Sequence, residues 1–244
     1  MIKIGSWNLR NFSKKRDMDP IADVVIQFDL LAIQEVRDDI CILLLCEHIK
    51  KKHNLDYKYA VSEPVCSTQT TARQTGKRKE RYAFIYRSGV ELVKSALVLA
   101  DCHFVRPPLM GFFKCSRFDF ILTTIHVVWG KKSDRRAEIS SINLLLEAIK
   151  EKAGGEGDII LCGDFNTPPE EFALPDIWRP LIHGRTMVNS ANIFDNIWIT
   201  GATGEFTGES GVVGAGKLSD HFPVYATFRD IDDDEGVPNL DIKL

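Results

Sequence analysis

Short apolar runs alternate along the chain with stretches in which apolar side chains recur every three or four positions. Runs at Ile2–Trp7, Leu30–Gln34, Tyr57–Ser62, Arg81–Arg87, Glu91–Leu99, Gly111–Cys115, Asp119–His126, Asp158–Cys162, Phe194–Thr200 and Phe222–Phe228 predict strands, the first two buried. Asp19-Pro20 predicts a helix start, with Asp19 as N-cap and Pro20 at the first helical position. Ile40–Lys52 reads as a helix whose terminal lysines suit the helix dipole. The longest helical pattern is Ser133–Lys152, with a stripe of Ala137, Ile139, Ile142, Leu145, Leu146 and Ile149 and a stop at Gly154-Gly155. Two stretches lack apolar periodicity and read as loops, Glu63–Lys79 and the glycine-rich Gly201–Gly216. Many strands and about three helices, with no repeat and no linker, predict a layered α/β domain over residues 1–229.

Composition narrows the class. With 244 residues, 44% hydrophobic and 27% charged, the chain is an ordinary globular one, which excludes disorder, collagen and a disulfide scaffold. The net charge of −3 argues at face value against a nucleic-acid partner. The charge is uneven, however: the tail at 230–244 holds six acids and one lysine, a net of −5, so residues 1–229 carry +2. No run approaches the ~18 apolar residues of a membrane span, so no membrane partner is expected. The chain opens into IKIGSWNL without a signal-peptide pattern. Cys41, Cys46, Cys66, Cys102, Cys115 and Cys162 show no zinc spacing and read as buried free thiols. A cytoplasmic location is the corresponding expectation.

Candidate chemistry collects at the C-terminal ends of the predicted strands, where ligands bind in such folds. Asn8 and Glu35 end the first two strands, His126 ends FILTTIH, and Asp164 and Asn166 follow IILCG. Asp195 opens a strand, and Asp220-His221 precede FPVYATF. Taken singly, each has an ordinary reading as a turn former or a cap. Their repeated placement makes coincidence the weaker explanation. An Asp, Glu and Asn set without thiolates suits Mg²⁺ or Mn²⁺. Histidines beside carboxylates suit acid–base work near neutral pH, so the set fits phosphodiester hydrolysis.

The segments SWNLR, IQEVRD, KERYAFIYR, TTIHV, GDFNTPP and LSDHFPV, in this order, resemble the endonuclease/exonuclease/phosphatase superfamily, with the pancreatic-type deoxyribonuclease branch nearest. The resemblance spans Ser6 to Val224 and implies a four-layer αββα sandwich of two facing mixed β-sheets. It implies Glu35 as a direct metal ligand, Asn8 as a residue that binds or orients the metal, and Asp220 as a further holder of it. It implies His126 as a catalytic histidine held by Glu80, and His221 as a second one oriented by Asp195. Asp164 would activate or position water and Asn166 would hold the scissile phosphate. Arg10, Arg37 and Arg106 match arginines that contact DNA, and Arg78 stands where the branch carries a DNA-contacting tyrosine.

The resemblance thus implies a divalent-metal-dependent endonuclease that cuts DNA by in-line attack of water with weak sequence selectivity. The expected cofactor is Mg²⁺, with Mn²⁺ as substitute. The branch's structural Ca²⁺ sites stay open, because its cysteine spacing is absent. The expected partner is double-stranded DNA and the expected state a monomer. Basic runs adjoin the motifs at Arg10, Lys14, Lys15 and Arg16, at Arg73, Lys77, Arg78, Lys79 and Arg81, and at Lys131, Lys132, Arg135 and Arg136. Such runs suit contacts to the phosphate backbone. The alternative is another phosphoesterase of the superfamily, an abasic-site endonuclease or a phospholipid or inositol-phosphate phosphatase. A non-catalytic binding protein is the third reading.

Overall fold

In the computed structural model of the chain, the described residues are 1–65, 80–98, 104–152, 156–172, 174 and 177–230. The expected loop at 66–79 with Arg73, Lys77, Arg78 and Lys79, the Gly154-Gly155 stop, Cys66, Cys102 and the tail at 231–244 lie outside them. The strands are β1 (Ile2–Phe12), β2 (Leu30–Val36), β3 (Tyr57–Val61), β4 (Arg81–Arg87), β5 (Glu91–Leu97), β6 (Leu109–Cys115), β7 (Phe118–His126), β8 (Ile159–Asp164), β9 (Trp178–Pro180), β10 (Asp195–Thr200), β11 (Phe206–Val212) and β12 (Val224–Phe228). The helices are α1 (Met18–Val25), α2 (Ile40–His53), α3 (Lys132–Ser140) and α4 (Ile142–Lys152).

Two six-stranded mixed sheets form, in the orders β11-β12-β1-β2-β4-β3 and β5-β6-β7-β8-β10-β9. Each contains one parallel pair, β1 with β2 and β7 with β8. The doubly apolar strands explain the layering. Leu30 and Ala32 face the core between the sheets, while Leu31 and Ile33 pack outward under α1 and α2. In the second sheet Ile160 and Cys162 face inward, while Ile159 and Leu161 face Ile142, Leu145 and Ile149 of α4. Side chains alternate across a strand, so a strand covered on both faces must be apolar at successive positions. The result is the expected four-layer sandwich. Stacked rings of Phe118 and Phe120, 4.7 Å apart, help fill its centre.

Several elements differ from the sequence expectation. The N-cap of α1 is Asp17, whose side chain accepts the Asp19 N–H. The long helix is two helices parted at Ser141. Ser140 Oγ donates to the Arg136 carbonyl at 2.8 Å and Ser141 Oγ to the Ala137 carbonyl at 3.1 Å. Such back-bonding competes with the helical ladder and bends it. Ala137 consequently faces solvent and Glu138 is buried. The glycine-rich loop contains β11, an edge strand whose Thr, Gly, Glu and Ser residues carry no apolar alternation. At the edge of the second sheet, the three-residue β9 ends in Pro180. Cys41, Cys46, Cys115 and Cys162 are free, and burial pushes the Cys41, Cys46 and Cys162 thiols up to about 12.

Candidate active site

Strand register builds the centre of the site. In β7, β8 and β10, His126 stands opposite Asp164, and Asp164 opposite Asp195. Directly opposed residues project from one face of a sheet, so the three side chains emerge in a row at one end of the sandwich. Gly163 makes the row possible. Its φ is 142°, and a Cβ there would lie 2.0 Å from the Ile125 carbonyl oxygen.

Asp164 is the meeting point. Its Oδ1 accepts the Asn166 N–H at 2.9 Å and its Oδ2 accepts Asn8 Nδ2 at 3.0 Å. His126 Nε2 and His221 Nε2 stand 3.7 and 3.6 Å from that same Oδ2. Both separations exceed a direct hydrogen bond, which leaves each Nε2 free to address a further oxygen. Each ring is oriented through its other nitrogen. His126 Nδ1 donates to Glu80 Oε1 at 2.7 Å, and His221 Nδ1 donates to Asp195 Oδ2 at 2.8 Å.

The two pairs have different surroundings. Glu80 also accepts Arg106 Nε at 2.9 Å, and Arg106 Nη1 donates to the His126 carbonyl at 3.0 Å. Burial alone would raise the Glu80 carboxyl, but His126 and Arg106 outweigh it and hold the group at about 2. For His126, burial and Arg106 oppose the charged ring, yet Glu80 and Asp164 prevail and raise its pKa above the ordinary value. The Tyr82 hydroxyl accepts the His126 N–H at 3.1 Å. Glu138, 2% exposed, accepts Val105 N–H at 2.5 Å and Val128 N–H at 2.7 Å. It thereby ties the segment that carries Arg106 to the one that follows His126.

Among the described residues no arginine pairs with Asp195, the carboxylate of the other pair. His221 faces Asp195, Asp164 and Asp220, which outweigh its burial and push it up to about 10. Burial raises the Asp195 carboxyl, and the imidazolium beside it offsets this only in part, so the pair holds one proton tightly. Thr186 Oγ1 accepts the Phe194 and Asp195 N–H groups at 2.9 and 3.1 Å, and Trp7 Nε1 donates to the His221 carbonyl at 3.0 Å.

The first sheet supplies the rest. Asn8 Nδ2 lies 3.3 Å from Glu35 Oε1, and Glu35 Oε2 accepts the Asn11 N–H at 3.0 Å. Arg37 Nη2 is 3.5 Å from Glu35 Oε2 and donates to Asn11 Oδ1. Arg10 Nη1 pairs with Asp220 Oδ2 at 2.8 Å. Ser219 Oγ donates to the Asn8 carbonyl at 2.7 Å and joins the Asp220 loop to β1. Arg10, Asn11, Glu35 and Asn166 all have positive φ, between 40° and 59°. Register shifts interrupt β1 and β2 where the first three lie. These irregularities turn side chains into the site that a regular strand would direct elsewhere.

Comparison with known proteins places this geometry. Residues 5–221 match the model of the Endonuclease/Exonuclease/phosphatase family. The chain belongs to that family. It is 27% identical to a deoxyribonuclease of Thioalkalivibrio sp. (strain K90mix), over 93% of this chain and 71% of that one. It is 26% identical to deoxyribonuclease-1-like 2 of Mus musculus, over 93% and 92%. Among solved structures, a mannosyl-6-phosphatase of Bacteroides thetaiotaomicron superposes with a TM-score of 0.66 at 20% identity, covering 94% of this chain and all of that one. TDP2 of D. rerio, complexed with single strand DNA product, gives 0.67 at 19% identity over 93% and 98%. These structures share the fold.

The family consists of divalent-metal-dependent phosphoesterases, and the residues here fit a hard cation. Asp164, Asp195 and His221 bring ligand atoms within 4.8 Å of one another. Asp195 Oδ1 is buried without a hydrogen-bond partner. Glu35 and Asp220, the expected ligands, are the more exposed carboxylates, with 17% and 26% of their side chains exposed, whereas Asn8 is buried between Glu35 Oε1 and Asp164 Oδ2. Of the expected DNA contacts, Arg10 reaches the surface, with 59% of its side chain exposed. Arg37 and Arg106, at 19% each, turn inward to Glu35 and Glu80, and Arg78 lies outside the described residues. Asn166 Nδ2 donates to the Val127 carbonyl at 2.8 Å.

Sequence reasoning missed Tyr82, Thr186 and Glu138. Tyr82 and Thr186 act on backbone groups, which no motif records. Glu138 did leave a signal, because it occupies a position of the apolar stripe four residues before Ile142.

Proposed function

We propose that the chain is a Mg²⁺-dependent endonuclease that hydrolyses DNA phosphodiester bonds by in-line attack of water, with weak sequence selectivity. The observation that carries this reading is the convergence of two carboxylate-oriented histidines on Asp164 Oδ2. Asp164 takes the proton of the attacking water as its oxygen bonds to phosphorus. On the opposite side the phosphorus–oxygen ester bond breaks, and His126 Nε2 gives its proton to the departing alkoxide. His221, surrounded by carboxylates, remains the fixed cation beside the charge that gathers on the phosphoryl oxygens. Glu80 serves Arg106 as well as His126, so His126 is the histidine that releases its proton more readily. Glu35 and Asp220 would hold the divalent cation with Asn8 orienting Glu35, and Asn166 would steady the phosphate. When bound, the cation polarises the phosphoryl oxygen.

A DNA substrate is supported by the named deoxyribonuclease relatives and by the rim. A cavity of about 620 Å³ lies beside Asp220 and is lined by Arg10, Arg16, Val188, Lys217 and Leu218 among others. Lys14, Lys15, Lys131, Lys132 and Arg136 are exposed. Cations so placed contact phosphates without reading bases, which is why selectivity is weak.

Supercoiled plasmid and a single-stranded oligonucleotide, each with Mg²⁺, with EDTA and with His126→Ala, test the reading. Mg²⁺-dependent cleavage is expected, lost in EDTA and lowered about 10²–10⁴-fold in His126→Ala. Phosphate release from soluble inositol phosphates with neither DNA cut would replace it.

A further inference from the structure

Trp129 is 66% exposed, more than any other large apolar side chain among the described residues except Met1. It lies three residues beyond His126, on a segment fixed from several sides. The Val127 N–H donates to the Asp164 carbonyl at 2.9 Å, and the Val127 carbonyl accepts Asn166 Nδ2 at 2.8 Å. The Val128 N–H is held by Glu138 at 2.7 Å, and the Gly130 carbonyl accepts Arg135 Nη1 at 2.8 Å. The indole centroid stands 6.0 Å from the ring of Phe194, the neighbour of Asp195. The Arg135 guanidinium lies 5.6 Å from that indole. The segment therefore shows water a large aromatic surface on a backbone that needs no further ordering.

We propose that Trp129 and Arg135 form a stacking subsite for a nucleobase next to the scissile phosphate, so that strands with unstacked bases are preferred to continuous duplex. The inference rests on the DNA reading above and deepens it. In a duplex each base face is covered by its neighbours, whereas a single strand or a frayed end offers the face itself. Aromatic rings and guanidinium planes both stack on bases, and a basic surround is how sequence-tolerant single-strand sites are built. Lys131, Lys132 and Arg136 supply that surround. The preference moves away from the double-stranded DNA expected from sequence.

Two measurements test this. Trp7, Trp178 and Trp198 are at most 5% exposed, so external quenching of tryptophan fluorescence reports Trp129. In EDTA, a thymidine oligonucleotide should quench the wild type, and Trp129→Phe should lose that quenching. In the second, kcat/KM for a single-stranded oligonucleotide with Mg²⁺ should fall about 5- to 150-fold in Trp129→Ala, with a smaller fall on duplex. On the same strand made abasic beside the cut, wild type and Trp129→Ala should converge. Equal cleavage of the intact single strand by both proteins overturns the inference and leaves the DNA reading standing. So does an equal loss on intact and abasic strands, or quenching that persists in Trp129→Phe. A wild type that cuts no DNA overturns both.

Discussion

Replacing Glu80 by glutamine removes one charge from a pair whose side chains are only 5% and 6% exposed. The side chain keeps its size, but His126 loses the anion at Nδ1 and Arg106 loses its counter-charge. The magnitude follows from the depression of the Glu80 carboxyl from its ordinary 4.5 to about 2. At about 1.36 kcal/mol per pH unit, this amounts to about 3 kcal/mol of folding stability at neutral pH. The side chain is only 5% exposed, so solvent screening takes little from that figure. Leaving Arg106, whose side chain is 19% exposed, without its carboxylate acts in the same direction. A carboxyl with a depressed pKa stabilises fully above its ordinary value and loses that contribution as pH falls through the folded value. The stability gap between wild type and Glu80→Gln should therefore be about 3 kcal/mol at pH 7 and narrow below about pH 4.5. Urea unfolding from pH 7 down to the lowest pH at which both proteins remain folded measures it. Activity should fall about 10²–10⁴-fold, because the amide no longer stabilises the charged ring. A gap that stays constant as pH falls, or a variant with wild-type turnover, would refute the reasoning.

Other consequences are open to direct measurement. Gly163→Ala forces a Cβ to within 2.0 Å of the Ile125 carbonyl oxygen, so a loss of at least about 2 kcal/mol is expected, read as a fall of about 4–8 °C or more in Tm; an unchanged Tm would contradict the geometry of the row. Glu138→Gln keeps one acceptor and loses the other, and should lower kcat more than it raises KM, with Glu138→Ala losing more of both activity and stability; equal kcat in all three proteins would show that the carboxylate positions nothing. Mg²⁺ at about 100 times its Kd should add about 2.7 kcal/mol, seen as a rise of about 5–10 °C in Tm over EDTA-treated protein. DNA affinity should fall about 10³-fold or more between 50 and 200 mM salt if about six phosphates are contacted, and a flat salt dependence would remove the rim from substrate binding.

The layers were legible in sequence because strands covered on both faces must be apolar at successive positions, as LLAI and IILC are. Elements without such a pattern were not. β11 and β9 are edge strands whose pairing comes from neighbours rather than from their own side chains. The break at Ser141 depends on hydroxyls turning back to carbonyls, which a hydrophobic stripe does not record. At the site, the residue types at strand ends were readable, but not the register that aligns His126, Asp164 and Asp195 across three strands. Nor could sequence tell that Arg106 would turn inward to Glu80, since an arginine in a proline-flanked loop fits a surface role equally well. Trp129 carries no motif, and only its exposure beside His126 distinguishes it from the three buried tryptophans.

Charge ties these observations together. A net of −3 is a poor description of a molecule whose acids are so unevenly placed. Glu80 meets Arg106 and His126, Asp195 meets His221, Glu35 meets Arg37, and Asp220 meets Arg10. Each of these acids thus has a cationic partner within the site. Arg37 and Arg106 are the enclosed partners, whereas Arg10 is largely exposed on the rim. Of the cationic partners, Arg10 can therefore exchange its carboxylate for a substrate phosphate at the lowest desolvation cost. These four acids thus add little repulsion toward a polyanion, which would meet first the exposed cations of the rim, Lys14, Lys15, Lys131 and Arg136, with Lys132 paired to Glu171 at 2.8 Å. The field that a strand of nucleic acid meets is set by those surface cations, not by the sum over the chain.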